Sequence, residues 1–186
     1  MDYDYNFINN SFMAIDVNGL ARTYKTDQSV CEIARKNGWQ GSNDAGFVCY
    51  NGDTYMCVWN GAAGTYSKGI NECIVEHEDT HLNNGDVETC KPCDQKRAQF
   101  PPGTTRQQAN DAECKAYVAS FKCLKNKMEE NCGKLAEPAK TECQKEYCAE
   151  MKGKSNEVML NSCLNSSTFP ISHQDVPPCG KIWFPR

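Results

Sequence analysis

Residues Ile70 to Gly85 read INECIVEHEDTHLNNG. Ile70, Cys73, Ile74, His77 and His81 recur at i, i+3, i+4, i+7 and i+11, so they share one face of a helix. The pattern predicts a helix from about Ile70 to Leu82, ended by Asn83, Asn84 and Gly85. Two of the chain's three histidines stand on that face, with Glu78 directly after the first. Histidines four apart on a helix point the same way, so both imidazoles can reach one tetrahedral Zn²⁺. A glutamate beside them can take the proton of a metal-activated water, whose pKa falls to about 7. Against this stands a polar helix that carries two histidines by chance, since the pattern fixes only three positions. The scarcity of histidine and its place on the apolar face favour the metal.

A catalytic zinc keeps one position open and needs a third protein ligand. An extended pattern, with glycine three residues after His81 and histidine three further on, is absent: those positions are Asn84 and Val87. Candidates elsewhere are Glu113, Asp86, Glu88 and His173. Glu113 is favoured because it opens a helical face with Ala116, Tyr117 and Ser120, whose small members let a second helix come close. As an ordinary residue it would be an exposed glutamate near a helix N-terminus. Tyr117 and His173 are the candidates for stabilising an oxyanion, although Tyr117 also suits packing between helices and His173 a surface loop.

Outward from this helix, Gly46–Gly61 (GFVCYNGDTYMCVWNG) is a hairpin signal, with aromatic and β-branched runs around Asn51-Gly52-Asp53. Phe12–Val17 suits a short strand, and DQSVCEIARKNGW a short helix capped by Asp27 or Ser29 and ending at Gly38. The prolines and glycines up to Thr105 predict a loop after the histidine helix. Two helices follow, one from about Gln107 to Gly133 and one with Pro138 in its first turn. A third, short helix is expected over 155–166, then a proline-rich tail tied by Cys179.

Thirteen cysteines in 186 residues point to an oxidising compartment, with up to six disulfides and one thiol left over. Cys90 and Cys93 read as two half-cystines that pin a loop, and Cys132 with Cys143 as a staple across a helical hairpin. Cys123 faces away from Cys114 and Cys132 and is expected to tie to another element, such as the N-terminal region. The net charge is -4 and no basic cluster exceeds two residues, which argues against nucleic-acid binding. No apolar stretch approaches a membrane span of about 20 residues, and the N-terminus lacks the pattern of a signal peptide. A mature fragment, part of a longer polypeptide, or cargo of a secretion machine is expected.

HEDTHLNN, followed by a proline-bearing loop and AECKAYVASFKCL, resembles gluzincin zinc metallopeptidases, and more narrowly the HExxH toxin domains of polymorphic toxins and type VI secretion effectors. The resemblance covers about Cys73–Leu124. It departs from the gluzincin pattern where Tyr117 stands in place of an aspartate four residues after the ligand glutamate. It implies an α+β, zincin-like fold: a small N-terminal antiparallel sheet or hairpin with a mainly helical, disulfide-stapled C-terminal half. One domain over 1–186 is expected, with 1–30 a linker or N-terminal extension. His77, His81 and Glu113 would hold Zn²⁺, and Glu78, His173 and Tyr117 would be catalytic. The substrate would be a protein or peptide in a target cell's periplasm, cut by an antibacterial effector. A cognate immunity protein and a secretion-apparatus carrier would be its partners. A peptidoglycan amidase or endopeptidase with the same site, or a cysteine-rich binding module without activity, are the alternatives.

Overall fold

The structure, a computed structural model, describes residues 12–15, 21–41, 44–160, 176 and 179–181. It is an α+β fold with a three-stranded antiparallel sheet and four helices. The described residues fall into two compact units: those within Met1–Asn60 and Leu82–Pro102, and those within Gly61–His81 and Gly103–Arg186.

In the first unit, β1 (Phe12–Ile15) pairs antiparallel with β2 (Ala21–Tyr24). Lys25 then bridges the hairpin formed by β3 (Ala45–Tyr50) and β4 (Asp53–Val58). The hairpin closes as the sequence predicts. Tyr50 pairs with Asp53, and Asn51 and Gly52 between them both have positive φ, 53° and 86°. That is the backbone a two-residue turn needs to match the strand twist, and Asn-Gly supplies it at low cost. Helix α1 (Gln28–Lys36) begins where the Asp27 carboxylate accepts from Ser29 N–H at 2.9 Å. It lays Val30, Cys31 and Ala34 on Val48, Cys57 and Trp59, and the Cys31–Cys57 disulfide locks the contact.

The predicted loop after the histidine helix contains one short strand, β5 (Gln95–Arg97), which completes the order β4-β3-β5. Its residues are polar, so no alternation announces it; the pairing of Val48 with Arg97 through Tyr50 with Gln95 is made by the backbone. The two cysteines of Cys90-Lys91-Pro92-Cys93 do not act alike. Cys90 is bonded to Cys49 on β3, and Cys93 is a free, exposed thiol.

The second unit is helical. Helix α2 (Ser67–Asn83) starts three residues before the predicted Ile70, and Gly85 follows its end with φ 74°. Helix α3 (Arg106–Cys132) opens on a reciprocal cap: the Thr105 hydroxyl accepts from Gln108 N–H, and the Gln108 side chain accepts from Thr105 N–H. Helix α4 (Ala139–Leu160) runs through Gly153, where a break was expected. One exposed glycine costs a helix only about 1 kcal/mol, too little to end it. The remainder of the expected third helix, 161–166, lies outside the described residues.

Phe121, Leu124 and Met128 of α3 pack with Tyr147, Cys148 and Met151 of α4 and with Ile70 and Cys73 of α2. Three disulfides join these pieces. Cys132–Cys143 staples the α3–α4 turn as expected, and Cys148–Cys179 holds the short 3₁₀ turn Cys179–Lys181. Cys73–Cys123 ties α2 to α3, which corrects the expectation that Cys123 reaches the N-terminal region. The reason is local. Ser120, one turn before Cys123, is fully buried and donates its hydroxyl to the Cys73 carbonyl at 3.0 Å, so that face of α3 already lies on α2. No helix of the described residues is long and apolar enough to cross a membrane.

Candidate metal centre

The centre lies wholly within the helical unit. His77 and His81 project from successive turns of α2, their ring centroids 5.0 Å apart. Glu113, two turns into α3, places Oε2 3.4 Å from His77 Nε2 and 3.6 Å from His81 Nε2. Two features of α3 bring it there. Ala116 and Ser120 are fully buried, so no bulk keeps the helices apart, and the Cys73–Cys123 bond fixes the crossing one turn before His77.

A charge-assisted N–H···O hydrogen bond closes to about 2.7–2.9 Å. Ligands about 2.0–2.1 Å from a tetrahedral zinc stand roughly 3.3 Å from one another. Both distances are longer than that short hydrogen bond and close to the spacing of ligands around a tetrahedral ion. The three ligand atoms lie within 4.8 Å of one another, and among the described residues this is the group that could hold a metal ion. The donor set of two imidazoles and one carboxylate is also chemically right for zinc.

Burial is graded across the site. The side chains of His81 and His77 are 7% and 12% exposed, whereas that of Glu113 is 35% exposed. The imidazoles are thus held in a dry wall, and the carboxylate side meets solvent. Burial pushes the Glu113 carboxyl up, but hydrogen bonding and charge from His77 and His81 outweigh it and hold it well below the ordinary carboxylate range. Glu113 therefore presents a carboxylate, the form a metal requires.

Glu78 is half-buried on α2. At about 100° per residue it sits roughly 100° around the helix from His77 and 60° from His81, to one side of the narrow arc between the two histidines. The Tyr117 ring meets the His77 ring, with centroids 4.7 Å apart and planes at 60°. Of the other candidate ligands, Glu88 is engaged elsewhere: it accepts from Lys96 at 2.9 Å and from Gln99 N–H at 3.3 Å. Asp86 is not part of the metal-capable group, and His173 lies outside the described residues. The three residues that the sequence nominates as ligands are the ones that come together as a group that could hold a metal ion. What the sequence left undetermined was the contact of Tyr117 with His77, because helical spacing shows which residues share a face but not which ring they meet.

Comparison with protein-family models, with curated proteins and with solved structures finds no match to this chain.

Proposed function

We propose that the chain is a zinc-dependent metallopeptidase in which His77, His81 and Glu113 hold the metal. The observation that carries the proposal is the approach of one Glu113 oxygen to both imidazole nitrogens at 3.4 and 3.6 Å. An octahedral ion with bonds of about 2.1 Å would bring neighbouring ligands to roughly 3.0 Å, so the spacing favours a tetrahedral one. Zn²⁺ bound there would act as a Lewis acid on a scissile carbonyl and lower the pKa of a coordinated water.

The protein's own part follows from its side chains. His77 and His81, nearly buried, keep their nitrogens in place, and the partly exposed Glu113 leaves one side of the site open to substrate. The Glu78 carboxylate accepts a proton from the attacking water and delivers it to the leaving amine nitrogen. Of the two oxyanion candidates, Tyr117 lies against the His77 ring and His173 lies outside the described residues, so neither is assigned that task.

The disulfides support an oxidising or extracellular setting for this activity. With the resemblance of Cys73–Leu124 to secreted HExxH toxin domains, they favour an antibacterial effector that cuts peptide bonds in a target cell's envelope. A cognate immunity protein would then restrain it in the producing cell. Purified chain should carry about one zinc, lost in His77→Ala and retained in Glu78→Gln. Glu78→Gln should lower turnover by roughly 10²–10⁴-fold. Assays on unfolded protein and on purified sacculi separate a peptidase from a peptidoglycan hydrolase. Equal activity of Glu78→Gln and wild type in killing assays would leave a binding module instead.

A further inference from the structure

We infer that Tyr117 is the positioning residue of the proposed metal site: contact with its ring, not its hydroxyl, fixes the orientation of the His77 imidazole. The inference rests on the metal reading above and deepens it.

An imidazole that ligates through Nε2 can still swing about its bond to Cβ. Metal-binding proteins usually stop that motion by giving the second ring nitrogen a hydrogen-bond acceptor. Among the described residues His77 has no such device. Its Nδ1 is buried and finds no hydrogen-bond partner among the described residues. Something else must hold the ring, since its Nε2 stands 3.4 Å from Glu113 Oε2.

Two rings touch it. One belongs to His81, itself a ligand, at a centroid distance of 5.0 Å and an interplanar angle of 73°. The other belongs to Tyr117, closer at 4.7 Å and tilted by 60°. Edge-to-face contacts of this kind have a preferred angle as well as a preferred distance, so they resist rotation. Tyr117 is placed for this by α3: it stands four residues after Glu113, on the same face. A single helix thus supplies one ligand and the wedge that sets another. The neighbouring Ala116 is fully buried, so the helix backbone carries Tyr117 up to α2 without an intervening side chain.

The test compares wild type with Tyr117→Phe, which keeps the ring, and Tyr117→Leu, which keeps bulk but removes the aromatic ring. Zn²⁺ affinity is measured by competition with a chromophoric chelator, and coordination geometry from the visible absorption of the Co²⁺-loaded protein. Tyr117→Phe should match wild type within about twofold, with the same spectrum. Tyr117→Leu should bind about three- to tenfold more weakly, with a changed band shape. Equal affinity and spectrum in Tyr117→Leu would overturn the inference, and so would a Tyr117→Phe as impaired as Tyr117→Leu, which would give the role to the hydroxyl. A wild-type chain that binds no zinc overturns the proposed function instead. In that case NMR of the same three proteins decides the orienting role: one His77 ring orientation, read from NOEs to its ring protons, in wild type and Tyr117→Phe but averaging in Tyr117→Leu supports it, and no difference sinks it.

Discussion

Glu113 is the residue on which two opposing effects meet. Its carboxylate is only partly exposed, which by itself favours the neutral acid, yet the adjacent imidazoles hold the group well below its ordinary range. The consequence for metal-free protein has a definite sign. A depressed carboxyl contributes stability that is complete above its unfolded value, 4.5 here, and that fades as pH falls towards the folded value. Glu113→Gln lacks that contribution. Thermal melts of the metal-free proteins should therefore show wild type above Glu113→Gln at pH 5–6, with the gap closing as the solution is acidified below about pH 4.5. A gap that widens with acid would mean that the carboxyl is not held ionised by His77 and His81. The same substitution should weaken zinc binding, because an amide offers the metal no charge.

Helix α1 gives a similar sign. The Asp27 carboxylate accepts from the Ser29 hydroxyl at 2.7 Å and from Ser29 N–H at 2.9 Å. The Ser29 side-chain bond is the main cause of its lowered pKa; burial opposes it, and the Ser29 and Val30 backbone N–H groups add to the lowering. Asp27→Ala should cost about 0.5–2 kcal/mol in denaturant unfolding. Asp27→Asn should keep most of the cap and remove the part of stability that wild type loses as pH falls below 3.8. Such caps explain why much of this fold is legible in the sequence. Asp27, Thr105, Asn51-Gly52 and Gly85 are local signals, and each acts on backbone within a few residues of itself. The approach of Glu113 to the two histidines was also legible, because Ala116 and Ser120 mark a face that another helix can approach. What was not legible depends on partners far along the chain. The β5 strand is chosen by the backbone of β3, the Cys73 partner of Cys123 by the crossing of two helices, and the pairing of Cys90 with Cys49 by the hairpin. The length of α4 escaped for a different reason: Gly153 weakens a helix but packing of Tyr147, Cys148 and Met151 carries the chain past it.

Covalent cross-links matter to the whole chain through its unfolded state as well as through its folds. Five disulfides join described residues, and Cys114 is disulfide-bonded as well. Loop-closure entropy grows slowly with the span enclosed. The Cys73–Cys123 bond, 50 residues apart, should stabilise by about 4 kcal/mol, and Cys132–Cys143, 11 residues apart, by roughly 3. On stability alone the two bonds are thus nearly equivalent. They differ in what they hold. Cys73 stands one turn before His77, and its bond fixes the approach of α3, which carries Glu113; Cys132 and Cys143 merely close the turn at the far end of α3. Replacing both cysteines of each pair by alanine should therefore separate the two effects. Both double variants should unfold at lower denaturant concentration, by amounts that differ by about 1 kcal/mol. Only the Cys73→Ala, Cys123→Ala protein should also lose zinc affinity when measured under conditions where both variants remain folded. Equal losses of affinity would mean that the ligand geometry depends on the stability of the helical unit as a whole. An unchanged affinity in both would mean that Ser120, bonded to the Cys73 carbonyl, is enough to keep the two helices in register.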